Sequence, residues 1–554
     1  MKNWPRFLFI AVSIIFFPAL IQAQISPKIE WQRCYGGARM EGFNPPRDHM
    51  LIRTSDSGYA FVAQTGSDDV FVSGNHKDRL NHVEDDYWLV KLDKYGGIEW
   101  QKCFGGGGTE TPMCLIQASD GGFVICGETV SHDGDITQNP DRDTLSGYPR
   151  GWVVKTDFAG RLDWETCVGP VTGWLALFSI IESPDSGFIA VGGCFSNEEG
   201  WLSHTAGQDA LMIKLNSKGI LEWRHLYGGS YGAGANSVVR ANGGGYIFAG
   251  STLSNDGDVS GNHSPYKRYV TVTSDVWIVK VNDGGIIDWQ KCYGGPATEG
   301  GEAIIRGPKG GYIIAGTATS DGVDVSGTHG GSDGWIITIN DTGKLLSQRC
   351  IGGSKFDKIN SIIVTQRGNI AFGAYTGSND GDLSELHQAV RDSGDGWIGE
   401  LSPDGKLLWQ KCVGGTGDDG IYSIIQTDDN GFLIYGRTWS NNGDVSGNHG
   451  MSDIWVAKLS DITNGVTKGS STSAFMNPYP NPSVSEVNLE LYRSSPIEQI
   501  GFYNLLGTQV FPNYRIEGTV AVIDVHTLLK GTYFIKATFR NTEKALVRKF
   551  MVTN

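Results

Sequence analysis

WQRCYGG at Trp31–Gly37 and WQKCFGG at Trp100–Gly106 are two copies of one phrase, and its further copies decide the fold. It returns as WETCVGP from Trp164, WRHLYGG from Trp223, WQKCYGG from Trp289, SQRCIGG from Ser347 and WQKCVGG from Trp409. Successive copies start 69, 64, 59, 66, 58 and 62 residues apart, a period that marks a repeat architecture. Three more strand signals recur in fixed order within each interval. An apolar run such as Tyr422–Thr427 comes first, and a turn such as Asp120-Gly121-Gly122 then leads to a second run ending in glycine, as in Tyr312–Gly316. After a long Asp, Asn and Gly loop comes a third strand, DYWLVKL from Asp86 or DVWIVKV from Asp275, and the WQKC phrase is the fourth. Four antiparallel strands repeated seven times predict an all-β, seven-bladed β-propeller. The chain opens on a lone fourth strand, Ile29–Tyr35, and its last repeat stops at Leu459 with three strands. Pairing these two ends closes the last blade with the N-terminal strand, whereas a linear array leaves two bare edges.

Composition agrees with this reading. The 554 residues include 78 glycines, with 39% hydrophobic, 11% aromatic and 19% charged residues, a turn-rich profile with enough apolar side chains to fold. No strict glycine period suggests collagen. With 45 basic against 60 acidic residues the formal charge is -15, so the attraction to phosphate that drives nucleic-acid binding is missing.

The two ends carry address information. Lys2 and Arg6 precede an apolar run from Phe7 to Ile21, and Ala23 offers a cleavage position, so residues 1–23 are expected to be a secretory signal. That run contains Pro18 and falls short of the roughly 20 residues that span a bilayer, and no later segment is apolar enough to do so. The propeller is expected over residues 24–460 and a polar linker over 461–473. Residues 474–554 then read as a small immunoglobulin-like β-sandwich, with strands at Val487–Tyr492, Gln499–Tyr503, Val520–Val525 and Thr532–Phe539. This tail holds YPNP (Tyr479, Pro480, Asn481, Pro482), FYNLLGTQV from Phe502 with Gly507, LLKGTYFIK from Leu528 with Gly531 and Tyr533, and RKFMV from Arg548. In content and order these motifs resemble the C-terminal sorting domain of the type IX secretion system, with Asn504 and Thr508 standing where Asp and Arg are common. The resemblance implies Sec export, recognition of the folded tail by the type IX translocon, and release or attachment at the outer-membrane surface, ordinarily with removal of the tail.

The loop between second and third strands is the most informative polar element. Asp256, Asp258 and Ser260 follow the D-x-D-x-S-G opening of calcium loops, and Asp444 and Asp453 offer similar oxygens in the last repeat. Position twelve of the first loop holds Lys267 in place of a bidentate Glu, so plain Asx turns are the alternative. His76, His263, His329, His387 and His449 recur in these loops. One histidine per blade is too few for zinc, and a hydrogen bond from His to Asp within the blade is expected. Blade three replaces the loop with Ser196–Gln208, where Trp201 and His204 are expected to be exposed beside Tyr227 and Tyr231, an arrangement suited to stacking on a sugar ring. Six fourth-strand cysteines, starting with Cys34 and Cys103, share a position that accepts Leu226 and read as buried free thiols. Cys114 and Cys126 flank one hairpin turn, within reach of a disulfide. The G-x-S-x-G matches at Gly228 and Gly330 lack the following helix of a nucleophile elbow, and no catalytic residue stands out. Two functions therefore remain. The chain is a secreted or surface binding and scaffold module, whose partner beyond the translocon is a glycan or a surface protein, or it is a polysaccharide hydrolase on the same scaffold.

Overall fold

The computed structural model describes residues 26–462 and 475–553, apart from 43–48, 79, 81, 140–146, 199–200, 202–206, 265–271, 384–385, 388–392, 480–485, 493–496, 506, 518–519 and 540–545. The expected signal and most of the linker lie outside the described residues. Between Ile29 and Leu459 the strands form seven four-stranded antiparallel sheets. Sheet 1 comprises Leu51–Arg53, Tyr59–Thr65, Asp86–Leu92 and Ile98–Phe104, and sheets 2 to 6 repeat that order along the chain. Sheet 7 takes Asp419–Gln426, Phe432–Thr438 and Asp453–Leu459, and its fourth strand is Ile29–Tyr35, with Cys34 opposite Trp455.

Burial explains the strand patterns. Second and third strands such as Tyr59–Thr65 and Asp86–Leu92 are buried along their whole length because both faces meet a neighbouring sheet, and they are correspondingly apolar on both faces. Fourth strands such as Ile287–Tyr293 are only partly covered, so Glu, Gln and Lys appear in them. The first strands of sheets 2 to 6, Glu110–Gln117, Trp174–Glu182, Ala233–Arg240, Glu299–Arg306 and Asp357–Val364, lie each beside the next. The succession returns on itself, since Asp419–Gln426 lies beside Leu51–Arg53. At that junction Tyr435 donates its hydroxyl to the Val62 carbonyl at 3.0 Å, and Phe61, Tyr435, Ile454 and Val456 share one apolar cluster.

The repeated phrases are the two halves of one hydrogen-bonded set. The third-strand Trp donates its indole N–H to the Gln of the WQKC phrase, as in Trp88 to Gln101 (2.8 Å), Trp277 to Gln290 (2.9 Å) and Trp455 to Gln32 (2.9 Å). That Gln donates in turn to the serine of the DVSG loop, Ser73, Ser260 or Ser446. A buried indole N–H needs an acceptor, so the Trp and Gln recur together. The Trp of the WQKC phrase serves a different seam: Trp31 lies under the turn of the next sheet, where Gly96 (φ +80°) leaves no room for a β-carbon, and Tyr35 donates to the Gly96 carbonyl at 2.6 Å. Lys91, 5% exposed, bridges Asp56 of one turn and Glu99 of the outer strand, and Lys155, Lys214 and Lys458 repeat this in other sheets.

Cys114 and Cys126 do face each other across their hairpin, yet both are free thiols. Both sulfurs reach toward the next sheet, with Cys114 Sγ 3.9 Å from the Ile180 carbonyl and Cys126 Sγ 3.8 Å from that of Leu177. The tail forms two further four-stranded antiparallel sheets, with Val487, Phe502, Ile523, Ile535, Phe550 and Val552 in a cluster of their own.

Candidate functional site

In an antiparallel four-stranded sheet the end of the fourth strand, the start of the next first strand and the loop from second to third strand lie at the same end. This loop face carries the oxygen side chains expected from the sequence to hold a metal. Asp256 Oδ1 accepts the Ser230 amide at 2.7 Å, and Gly228 donates to Asp258 Oδ2 at 3.2 Å. Ser260 bonds Gln290, and Asp453 Oδ2 accepts from the amide and Nδ1 of His449 at 3.1 and 2.6 Å. The Asp444 amide donates to the Gly414 carbonyl at 2.8 Å. The Asp256, Asp258, Ser260 and Asp453 side chains fasten turns, and among the described residues no three His, Cys, Asp or Glu side chains gather around one point. A melting temperature that falls in EDTA and is restored by calcium alone would make Asp256 and Asp258 ligands, and an unchanged one would leave them as turn fasteners.

The five recurrent histidines each meet the aspartate that opens the third strand, at 2.6 Å for His76 and Asp86, 2.7 Å for His263 and Asp275, 3.3 Å for His329 and Asp333, 3.0 Å for His387 and Asp395, and 2.6 Å for His449 and Asp453. Beside each aspartate the structure adds a second buried carboxyl group, from the residue that opens the next first strand or its equivalent: Glu110, Glu299, Asp357, Asp419 and Glu41 respectively. Only a glycine fits between them. A β-carbon at Gly105 would stand 2.1 Å from Asp86 Oδ1 and 2.5 Å from Glu110 Oε2. This pairing is absent from the sequence expectations, although an acid recurs five residues after the first glycine of the phrase.

Sheet 3 overturns one expectation. Trp201 is buried, not exposed on the loop face. Leu211 takes the place of the third-strand Trp there and Leu226 that of the Cys, and Trp201 joins both in one apolar cluster. Arg224, at the position of the WQKC glutamine, covers its ring at 4.1 Å. The loop tryptophan thus restores the aromatic volume that the strand lost. Tyr227 is also buried, with its hydroxyl donated to the Gly285 carbonyl at 2.6 Å. Tyr231 is half-buried, with its amide donating to the Ser254 hydroxyl and its carbonyl accepting from it, while His204 lies outside the described residues.

The irregular loop ends instead at a cavity of about 420 Å³ beside the first strands of sheets 3 to 6. Gln208, Phe178, Asn236 and Ser251 line it, together with Glu302 and Lys358, whose charged ends pair at 2.9 Å. Asn236, Glu302 and Lys358 stand at partly exposed first-strand positions where the repeats differ from one another. Their departure from the repeat at regular register positions is the signal that sequence reading could have used.

In the tail, Tyr479 lies in the strand Phe475–Tyr479, Tyr533 donates to the Leu529 carbonyl at 2.7 Å, and Gly507 adopts φ +78° in a turn closed by its amide on the Asn504 carbonyl; Gly531 opens the strand Gly531–Phe539. Pro480, Asn481 and Pro482 lie outside the described residues. Residues 477–553 match the family described as the secretion system C-terminal sorting domain. The tail is a type IX sorting domain. The protein is accordingly exported by that system, and among the described residues no helix is long and apolar enough to cross a membrane. No curated protein matches the chain. Similar solved structures include a polysaccharide lyase described as an ulvan lyase (12% identity, 76% of this chain and 97% of that chain, TM-score 0.41) and PorZ, a surface component of the type IX system of Porphyromonas gingivalis (12%, 91% and 75%, TM-score 0.25). A puromycin hydrolase is a third (12%, 84% and 62%, TM-score 0.41). At these scores they assign no residue a role.

Proposed function

We propose that the chain is a seven-bladed β-propeller, residues 24–460, that serves as a binding module at the cell surface, with the cavity between Gln208, Asn236, Glu302 and Lys358 as its ligand site. A signal at 1–23, a linker at 461–473 and an immunoglobulin-like sorting domain at 474–554 complete this reading. The observation that carries it is a place where the repeat breaks: the loop Ser196–Gln208, which lacks the DGDVSGNH pattern, ends with Gln208 in the lining of this cavity. An apolar ring beside amides and a charged pair suits a sugar, whose ring face packs on an aromatic while its hydroxyls bond polar groups. Hydrolysis by two carboxylates needs a second acid about 5 to 9 Å away, and Glu302 is the sole carboxylate of the described lining.

A glycan array with the mature protein, run beside a hydrolysis screen, tests both readings. Glycan retention is expected in the parent and a loss of at least about tenfold, some 1.4 kcal/mol, in Glu302→Ala/Lys358→Ala at unchanged melting temperature. Equal retention by the variant removes the site from this cavity, and release of reducing ends that survives repurification replaces the binder with a hydrolase.

A further inference from the structure

The repeated carboxyl pairs leave an account of hydrogen bonds open. Asp86 Oδ2 accepts from the amide and ring of His76 at 2.9 and 2.6 Å, while its Oδ1 is buried without a donor. Asp275 and Asp333 repeat this: Oδ2 accepts the amides of His263 and His329 at 3.0 and 2.6 Å, and both Oδ1 atoms are buried without a donor. Each such oxygen stands near an oxygen of the second acid, both close to the same glycine. Glu110 Oε2 takes the Gly106 amide at 2.8 Å and Oε1 the Thr129 hydroxyl at 2.6 Å. Glu299 Oε2 takes the Gly295 amide at 2.8 Å, and Asp357 Oδ2 takes the Gly353 amide at 2.7 Å and the Ser378 hydroxyl at 2.8 Å. A β-carbon placed at Gly294 would lie 2.6 Å from Asp275 Oδ1 and 2.9 Å from Glu299 Oε2, and at Gly352 2.4 and 2.7 Å from the Asp333 and Asp357 oxygens. All six acids are fully buried.

We propose that each of these pairs, Asp86 with Glu110, Asp275 with Glu299 and Asp333 with Asp357, holds one shared proton at neutral pH and so forms a titratable latch between one sheet and the next. A buried oxygen without a donor beside a second carboxylate is costly, and two adjacent buried anions are costlier still. One proton removes both costs, because the neutral acid donates its O–H to the aspartate Oδ1 while it keeps accepting from the glycine amide. The aspartate opens the third strand of one sheet and its partner opens the first strand of the next, so the bond crosses the seam. Sheets 2 and 3 lack the pair: Arg150 stands in the aspartate's place before Trp174, and Asp209 is followed by Ala233.

His76, His263 and His329 are the nearest basic side chains, all on the far oxygen of the aspartate. Asp135, Asp324 and Asp382 approach the same turns through the amides of Gly105, Gly294 and Gly352, and Arg349 meets Asp382 at 3.6 Å. Cys103, Cys292 and Cys350 lie behind, as neutral thiols pushed up by burial. Burial pushes Glu110 up to about 8, with Asp86 adding to the rise, and burial likewise raises Asp86, Asp275 and Asp333. At Asp86 and Glu110 the folded state therefore binds the proton more tightly than the unfolded chain, so that pair's stabilisation is complete below the ordinary carboxyl range and is lost as pH rises through about 8. His76, raised by its bond to Asp86, acts in the same direction.

The test is Asp86→Asn/Asp275→Asn/Asp333→Asn in the full mature chain. Each Asn oxygen keeps the histidine donors and its amide N–H₂ replaces the shared proton. The parent's melting temperature is expected to fall on the order of 5 °C from pH 6 to pH 9, and the variant's by less than half of that. The infrared band of protonated carboxyls, present in the parent at pH 7, is expected to vanish above pH 9. An equally steep fall in the variant, or no such band in the parent at pH 7, overturns the proposal; if the variant does not fold, the parent's infrared titration decides.

Discussion

Truncation after Ser473, expressed in the native host, is expected to abolish arrival at the surface or in the medium and to leave the protein in the periplasm. The cut removes the whole matched segment, 477–553, together with the apolar cluster of Val487, Phe502, Ile523, Ile535, Phe550 and Val552 that makes it a folded signal. No residue of the seven sheets belongs to that cluster, and the bidentate pair of Arg367 and Asp461 (3.0 and 2.7 Å) stays on the retained side. The shortened protein should therefore melt with the same midpoint as the parent's sheets, which separates a sorting defect from a folding defect. Fractionation and immunoblotting read the result. Normal amounts outside the cell would show that export does not use the tail.

Deletion of Ile29–Tyr35 should have the second largest effect, this time on stability. The segment completes sheet 7, so its loss bares the edge strand Asp453–Leu459 and strips cover from Trp455 and Val456. Gln32 ceases to accept the Trp455 indole N–H, and the hydroxyl bond from Tyr35 to the Gly96 carbonyl, which ties sheet 7 to sheet 1, disappears. Burial of Cys34, Tyr35 and their partners together with these bonds is worth about 5 kcal/mol or more. A melting temperature lower by about 10 °C, or aggregation through the open edge, is expected in calorimetry and light scattering. An unchanged midpoint would mean that the last three strands are stable without the first, and the ends would not then clasp the repeat.

Much of this architecture was legible because it depends on local, repeated chemistry. The spacing of the WQKC phrase counted the sheets, and the unpaired strands at Ile29 and Leu459 named their own partners, since a strand edge must be paired somewhere. The bond from histidine to aspartate was legible for the same reason, both residues recurring a few positions apart in the same loop.

Other features depend on what a side chain meets from elsewhere in the chain. Trp201 reads as exposed because it sits in a polar loop, but the two paired strands beneath it carry Leu211 and Leu226 in place of Trp and Cys, and the vacant volume draws the ring inward under Arg224. Asp256, Asp258 and Ser260 have the spacing of calcium ligands, and in the fold their side chains also bond Ser230, Gly228 and Gln290, partners that the spacing does not name. Sequence by itself determined the number and order of strands, the pairing of the two ends and the export address, since periodicity, edge pairing and the tail motifs are properties of the chain. Only tertiary structure decided which polar atoms meet, as in the Asp86 and Glu110 pair or the cavity of Gln208 and Lys358, because burial and seam contacts between sheets are set by packing of residues distant in the chain.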